Sequence, residues 1–230
     1  MLDFIELETG KNPDASVIWL HGLGADGHDF ESIVPELNLP ANFKIRFIFP
    51  HAPEMAVTVN GGYVMRAWYD IMGRGISFAS GTPSQPAGED ESGIRASGKK
   101  IFELIENEKK RGIVASRIIL AGFSQGGAMT LFSGLRYPQK LAGLMVLSAY
   151  LPLSEMLTAE MSEANAKTSV FMAHGKQDGV VPFEGARISK EFLLKRGVPV
   201  EWHEYGMAHS LHPQEIRDIS NWLQKTVGEN

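Results

Sequence analysis

A serine with a glycine two positions away on each side stands near the middle of the chain. Residues 122–126 read Gly-Phe-Ser-Gln-Gly, which fits the pattern G-x-S-x-G. The motif follows the apolar run 118–121 and precedes a helical pattern, the strand–turn–helix context in which such a serine is a nucleophile. The glycines remove side chains that would clash at the sharp turn. The motif therefore predicts that Ser124 attacks a carbonyl carbon.

A serine hydroxyl needs a base to take its proton, and the base needs an acid to hold its tautomer. His209 lies between the last predicted strand and the last predicted helix, at the same sheet edge as Ser124. Asp178 directly follows another predicted strand, and the order Ser124, Asp178, His209 is the one that α/β-hydrolases use. Asp70 is the main alternative acid, but it precedes the serine and would break this order. Three further histidines near strand ends stay open as bases: His28, His51 and His174.

The oxyanion that forms on the attacked carbonyl needs preorganised N–H donors. The backbone N–H of Gln125, at the start of the predicted helix, is suited to this role. A second donor is expected from the loop Gly22-Leu23-Gly24-Ala25-Asp26-Gly27, and we choose Leu23.

The loop from Gly22 to Gly27 also matches G-x-G-x-x-G, so a dinucleotide-binding protein is an alternative. A dinucleotide site needs an acid at the end of the next strand to bind ribose, and this strand ends in Phe49-Pro50. A zinc site built from three histidines and one acid (His203, His209, His212 and Glu204) lacks an H-E-x-x-H helix. A non-catalytic hydrolase scaffold is the remaining alternative. We expect no metal and no cofactor.

Short apolar runs alternate with helical patterns along the chain. Strands are predicted at residues 4–8, 16–21, 44–49, 117–122, 143–148, 169–174 and 200–205. Helices are predicted at 27–37, 92–111, 125–137, 183–196 and 213–227, with Ser92 as the cap of the second. This alternation predicts an α/β fold with a mostly parallel central sheet and helices on both faces. No linker divides residues 1–230, so we expect a single domain.

Residues 50–90 interrupt this alternation. Residues 57–59 and 63–65 flank Asn60-Gly61-Gly62, which predicts a hairpin. The Gly-, Ser- and Pro-rich stretch 73–88 follows. It is interpreted either as a mobile flap over the site or as a solvent-facing loop.

Composition excludes several classes of function. The net charge is −5, which gives no reason to expect nucleic-acid binding. The basic run 109–111 falls at the end of a predicted helix, where cations offset the helix dipole. The chain contains no cysteine, which excludes disulfides and a cysteine nucleophile. Acids in residues 1–6 replace the basic start of a signal peptide, so a cytoplasmic location is expected.

Several separated motifs resemble one family almost from end to end. Residues 21–24 together with 122–127 resemble the phospholipase/carboxylesterase family, which includes acyl-protein thioesterases. Residues 57–62 and 66–70 are similar to its bacterial carboxylesterase branch. The resemblance implies an α/β-hydrolase fold, the same triad and the same oxyanion donors. It also implies an acyl-binding groove, for which we expect these residues: Trp68, Ile71, Met72, Ile76, Phe78 and Val181.

The expected function is that of a serine hydrolase that cleaves carboxylic esters or thioesters through an acyl-enzyme on Ser124. Small-molecule esters, lipid esters, acyl thioesters and acylated proteins all stay open as substrates. The flap 73–88 could make peripheral contact with a membrane. Family members include monomers and homodimers, so both states are open for this chain.

Overall fold

The computed structural model describes residues 1–73 and 89–228, which form a main sheet with helices on both sides and a separate two-stranded sheet. The strands of the described residues are β1 (Phe4–Glu8), β2 (Ala15–Leu20), β3 (Ile45–Pro50), β4 (Glu54–Val57), β5 (Tyr63–Arg66), β6 (Ile118–Phe123), β7 (Gly143–Leu147), β8 (Val170–Gly175) and β9 (Val200–Tyr205). Seven of them form the main sheet in the order β1-β3-β2-β6-β7-β8-β9. Only the edge strand β1 runs antiparallel to its neighbour within this sheet.

Helices cover both faces of this sheet. Those of the described residues are α1 (Ile33–Glu36), α2 (Glu91–Lys110), α3 (Gln125–Gly134), α4 (Ser154–Glu160), α5 (Phe183–Lys195) and α6 (Pro213–Gly228). Buried side chains of α2, α3, α4 and α5 join one apolar cluster, and those of α1 and α6 join a second. The predicted α/β architecture with a mostly parallel sheet is therefore confirmed.

The alternation of side chains along each strand builds the two clusters. On β2, Ile18 and Leu20 join the cluster of α2 to α5, while Val17 and Trp19 join the cluster of α1 and α6. Strands β2, β3, β7 and β8 are buried along their full length. Continuous apolar runs in the sequence arise from this two-sided burial.

The sequence located all seven strands of the main sheet to within about one residue at either end, but it missed or misplaced parts of the helical layer. The helix predicted over 27–37 is α1, only four residues long. Before α1 the chain forms turns in which an N–H donates to the carbonyl oxygen three residues earlier, such as Ile33 N to Phe30 O at 3.2 Å. Pro35 has no N–H and so cannot donate a helical hydrogen bond. Helix α4 was not predicted.

The start of α2 also differs from the prediction. Its cap is Asp90 rather than Ser92, because Asp90 Oδ1 accepts from Gly93 N at 2.9 Å. The Ser92 hydroxyl donates to the same oxygen, also at 2.9 Å. Ser92 thus supports the capping carboxylate and lies in the first turn of the helix.

The hairpin lies where the sequence placed it, with a shifted first strand. Strand β4 ends at Val57, which pairs with Tyr63 of β5, and a 3-10 turn spans Thr58–Asn60. Gly61 and Gly62 have φ values of 69° and 79°, a region that glycine enters without steric cost. Most of the predicted flap, including Ile76 and Phe78, lies outside the described residues. Within the described ranges, no helix combines the length and the apolar content needed to cross a membrane.

Helix α6 begins with a buried carboxylic acid. Glu215 is fully buried, and its Oε2 accepts from the backbone N–H of His212 at 3.2 Å. The ring Nδ1 of His212 in turn accepts from Gln214 N at 3.1 Å, which is a reciprocal capping arrangement. Burial raises the pKa of Glu215 from 4.5 to about 7, and the carboxylate of Asp218 adds to the effect.

We predict that Glu215→Gln stabilises the fold at alkaline pH. The folded state binds a proton here that the unfolded state releases between pH 4.5 and about 7, so wild-type stability falls as pH rises through this window. A glutamine cannot ionise, and the variant should gain up to roughly 3 kcal/mol at pH ~8 and little at pH ~5. Urea unfolding at both pH values measures the difference, with Glu36→Gln as the exposed control. Equal effects of Glu215→Gln at both pH values would contradict the assignment.

Candidate active site

Ser124 occupies a strained turn between β6 and α3. Its φ and ψ are 54° and −121°, a region that non-glycine residues rarely adopt. The backbone on both sides holds it there: Ser124 N donates to Leu147 O at 2.8 Å, and Ala128 N donates to Ser124 O at 3.0 Å. Ser124 is therefore fixed at the carboxyl edge of the sheet by β7 and by the first turn of α3.

The two glycines of the motif allow this turn to form. A Cβ atom on Gly122 would lie 2.3 Å from the carbonyl carbon of Gly126. A Cβ atom on Gly126 would lie 2.2 Å from Leu20 O, at the end of β2. Strand, turn and helix pack so closely here that no other residue type fits. The steric reason proposed from the sequence is thus present in the structure.

Asp178 and His209 are joined by a hydrogen bond. His209 Nδ1 lies 2.7 Å from Asp178 Oδ2, and the other carboxylate oxygen accepts from the backbone N–H groups of Val180 and Val181, each at 2.9 Å. The loops that carry the two side chains are close because Gly175 lacks a Cβ, which would lie 2.4 Å from Met207 O. The structure brings the predicted acid and the predicted base together.

The surroundings of Asp178 keep its carboxylate ionised. Burial alone would raise its pKa, but hydrogen bonding from His174 and His209 and from the N–H groups of Val181 and Val180 outweighs burial. The pKa of Asp178 is therefore held well below its ordinary range. An ionised acid beside Nδ1 favours the imidazole tautomer whose Nε2 can take a proton.

His209 lies beside the nucleophile turn. Its ring packs on Phe123, the residue before Ser124, with ring centroids 4.7 Å apart. A hydrogen bond between Ser124 Oγ and the His209 ring is not among those of the described residues. Catalytic hydrogen bonds are often long without substrate and shorten when it binds. The three side chains of the proposed triad share one sheet edge, and the acid–base contact is already formed.

Two backbone N–H groups next to Ser124 are available to a ligand. Those of Leu23 and Gln125 donate to no acceptor within the part of the chain that the structure describes. Gly24 N donates to Arg66 O at 2.9 Å, which fixes the loop after β2. A Cβ on Gly22 would lie 3.4 Å from Ser124 Cβ, so this loop runs against the serine.

The side chain of Gln125 fixes the segment that follows the hairpin, a contact that the sequence did not reveal. Its Oε1 accepts from Trp68 N and its Nε2 donates to Tyr69 O, both at 2.8 Å. The indole N–H of Trp68 donates to His21 O at 2.9 Å. Gln125 and Trp68 therefore connect the hairpin, the loop after β2 and the first turn of α3. The sequence feature that could have indicated this contact is a polar glutamine directly after the serine, in a stretch that is otherwise apolar or small.

A cavity of about 260 Å³ opens beside Ser124. Its lining residues are Leu23, Val59, Asn60, Tyr69, Ile71, Gly73, Ser124, Gln125, Tyr150, Val180 and Val181. Ile71 and Val181 were predicted for the acyl groove and line it. Trp68 does not, because it is fully buried beneath the site. Met72 lies outside the lining with half of its side chain exposed.

The histidines left open by the sequence separate into different roles. His28 Nδ1 lies 3.0 Å from Glu31 Oε2 at the surface, and His51 Nδ1 accepts from Gly27 N at 3.1 Å. Neither contacts Asp178. His174 does contact Asp178, but it is fully buried, whereas the ring of His209 packs on Phe123 beside Ser124. His209 is therefore the histidine best placed to reach Ser124.

The remaining alternatives for acid, cofactor and metal find little support. Asp70 accepts from the backbone N–H and the hydroxyl of Thr58, at 2.7 and 2.6 Å, and braces the hairpin. The loop 22–27 does not open a helix, as a dinucleotide site would require, because α1 begins only at Ile33. No group of three metal-ligating side chains occurs within residues 1–73 and 89–228.

The sheet order, the strained serine turn and the acid–histidine pair define an α/β-hydrolase. Residues 4–227 match the family model described as phospholipase/carboxylesterase. Acyl-protein thioesterase 1 of Gibberella zeae is 40% identical over 217 residues, which cover 93% of this chain and 91% of the relative.

Solved structures are similar to this chain over almost its full length. The crystal structure of Arabidopsis thaliana SOBER1 superposes with a TM-score of 0.83 at 32% identity, covering 93% of this chain and 99% of that one. Zea mays acyl-protein thioesterase 2 gives 0.84 at 26% identity, covering 99% and 100%. The chain belongs to the phospholipase/carboxylesterase family of α/β-hydrolases. It is a hydrolase of carboxylic esters or thioesters.

We predict that Gly126→Ala disrupts the site and lowers stability. The new methyl group would lie 2.2 Å from Leu20 O and 2.6 Å from His21 O, so the backbone must move. Overpacking of this kind costs about 1–3 kcal/mol. Thermal unfolding measures the loss, and ester hydrolysis should fall with it. Gly206→Ala is the control, since a Cβ there meets no atom within 4 Å. Equal stability of the two variants would contradict the packing argument.

Proposed function

We propose that Ser124, Asp178 and His209 form the catalytic triad of this hydrolase, with the N–H groups of Leu23 and Gln125 as its oxyanion hole. The observation that carries the proposal is that the serine and both donor-bearing residues line the same cavity. The hydrogen bond of 2.7 Å between Asp178 and His209 supplies the oriented base.

The reaction is a two-step acyl transfer. His209 takes the proton of Ser124 Oγ as the oxygen attacks the carbonyl carbon of the substrate. The carbonyl oxygen becomes an oxyanion and accepts from the N–H groups of Leu23 and Gln125, each worth about 2.7–4 kcal/mol in sites of this kind. Protonated His209 then gives its proton to the leaving alcohol or thiol. Water repeats the sequence on the acyl-enzyme and frees the acid.

The cavity favours an apolar acyl group. Its lining includes Val59, Ile71, Val180 and Val181, which offer aliphatic surface beside Ser124. Burial of each CH₂ group is worth about 0.8 kcal/mol, so an acyl chain gains affinity with every carbon that the wall covers. A thiol leaving group, with a pKa of about 8.5, departs more readily than an alcohol, and one site can therefore serve esters and thioesters.

Among the open substrates we favour acyl thioesters of proteins or small molecules. The relative of highest identity described above is named as an acyl-protein thioesterase, and the alignment covers more than nine-tenths of both chains. Lipid esters stay second, because the same aliphatic wall would accept their acyl chains.

We predict that Ser124→Ala abolishes turnover and leaves the fold intact. Loss of the nucleophile of a serine triad costs roughly 10⁶-fold in kcat. The measurement is hydrolysis of p-nitrophenyl esters from acetate to palmitate, together with labelling by a fluorophosphonate probe. Ser116→Ala is the control, because Ser116 is exposed at the opposite end of β6. Full activity in folded Ser124→Ala protein would refute the triad, and failure of wild type to hydrolyse or label would favour a non-catalytic scaffold.

We also predict that Asp178→Asn lowers kcat by about 10⁴-fold with little change in KM. The asparagine keeps the shape of the acid, but it no longer favours the tautomer of His209 that accepts a proton at Nε2. Steady-state kinetics on one ester checks the effect. Asp70→Asn, at the alternative acid, should retain most of the activity. The reverse ranking of the two variants would transfer the role of the acid to Asp70.

A further inference from the structure

A second histidine contacts the acid of the proposed triad. His174 lies at the end of β8, four residues before Asp178, and is fully buried. Its Nε2 lies 2.8 Å from Val181 O and 3.3 Å from Asp178 Oδ2. Oδ2 is also the oxygen that accepts from His209. One carboxylate oxygen thus faces two imidazole rings.

The surroundings of His174 fix its tautomer. Val181 O and Asp178 Oδ2 are both acceptors, so Nε2 must carry the proton. Nδ1 is buried and meets no hydrogen-bonding atom of the described residues. Protonation of Nδ1 would place an unpaired N–H in the core, which is costly. The ring of Phe183 lies against the imidazole with centroids 6.0 Å apart and adds no charge. His174 therefore acts as a neutral donor through Nε2.

We propose that His174 is a positioning residue for the reaction: its Nε2–H, shared between Asp178 and Val181 O, holds the carboxylate toward His209 and fixes the loop 178–181 that forms part of the cavity wall. The inference rests on the triad proposed above. It assigns no proton transfer to His174, because the side chain is closed off from the cavity.

Two consequences follow from this geometry. Oδ1 of the carboxylate is held by the N–H groups of Val180 and Val181, and Oδ2 lies between His174 and His209, so removal of His174 leaves His209 as the donor to Oδ2 and loosens the orientation of the carboxylate. The same loop places Val180 and Val181 on the cavity wall. Loss of His174 should therefore disturb both the orientation of His209 and the binding of acyl chains.

The test uses three substitutions at His174 in the full chain. His174→Leu removes both ring nitrogens and keeps the volume. His174→Gln places an amide donor near the position of Nε2, whereas His174→Asn has the same amide on a side chain too short to reach it. Circular dichroism and thermal unfolding check that each variant folds. If the leucine variant fails to fold, the Gln and Asn pair alone decides, because the two differ by one methylene group.

We expect His174→Leu and His174→Asn to lower kcat by about 10- to 100-fold, the cost of a small misplacement of catalytic groups. The Gln variant should recover most of the loss. Without His174 as a second donor, the negative charge of Asp178 interacts more strongly with His209. The acid limb of the kcat/KM profile should then move to higher pH. The groups that face Asp178 among the described residues are the two imidazoles and the N–H groups of Val180 and Val181, so no other side chain accounts for the shift.

A readout independent of turnover separates this inference from the proposed function. The proton that His209 Nδ1 shares with Asp178 gives a low-field resonance in proton NMR, which should move in the Leu and Asn variants and return in the Gln variant. That pattern supports the positioning role even if wild type hydrolyses no ester. Folded Leu and Asn variants with kcat, pH profile and resonance like those of wild type would overturn the proposal, as would equal impairment of the Gln and Asn variants.

Discussion

The close contact between the turn at Ser124 and the end of β2 is the constraint on which the rest of the site depends. Gly126 approaches Leu20 O so closely that a single methyl group would clash. The same contact brings the loop that carries Leu23 against the serine. Because β2 and β6 are neighbours at the centre of the parallel sheet, their carboxyl ends fix the proposed nucleophile and one proposed oxyanion donor together. The strained backbone conformation of Ser124 is maintained by the packing around this junction.

The other parts of the site are arranged outward along the same edge of the sheet. Strand β7 accepts the N–H of Ser124, β8 leads to Asp178, and the loop after β9 carries His209. The segment after the hairpin is tied to α3 by the side chain of Gln125. The order of strands in space therefore places the proposed nucleophile, acid and base one after another along the sheet edge. Each one is supported by the neighbouring strand and needs no long-range loop to reach the others.

The sequence predicted well the parts whose information is local. The motif around Ser124, the strand runs and the helix patterns are each contained in a few consecutive residues, and the proposed acid and base were chosen from their positions at strand ends. The cavity wall was less predictable, because residues from separate segments, such as Leu23, Tyr69 and Tyr150, meet only in the folded chain. Trp68 was expected in the groove because the family resemblance implied it, yet its indole N–H is used within the core.

The histidines illustrate the same limit. Position at a strand end gave four candidates for the base, and only the fold separates them, through burial and through contact with Asp178. His174 and His209 both contact the same carboxylate oxygen, but only His209 lies next to the nucleophile turn. Spacing along the chain could not distinguish a base from a supporting donor. The distinction depends on which ring nitrogen faces which acceptor.

The most direct test of the account is to trap the acyl-enzyme and locate it. Wild-type protein mixed with an acyl thioester and quenched in acid should gain the mass of one acyl group, and peptide mapping should place it on Ser124. The Asp178→Asn variant should accumulate the adduct at a much lower rate, since its base is not held in the required tautomer. An acyl group on another residue, or turnover with no covalent adduct in rapid-quench experiments on wild type, would contradict the proposed mechanism.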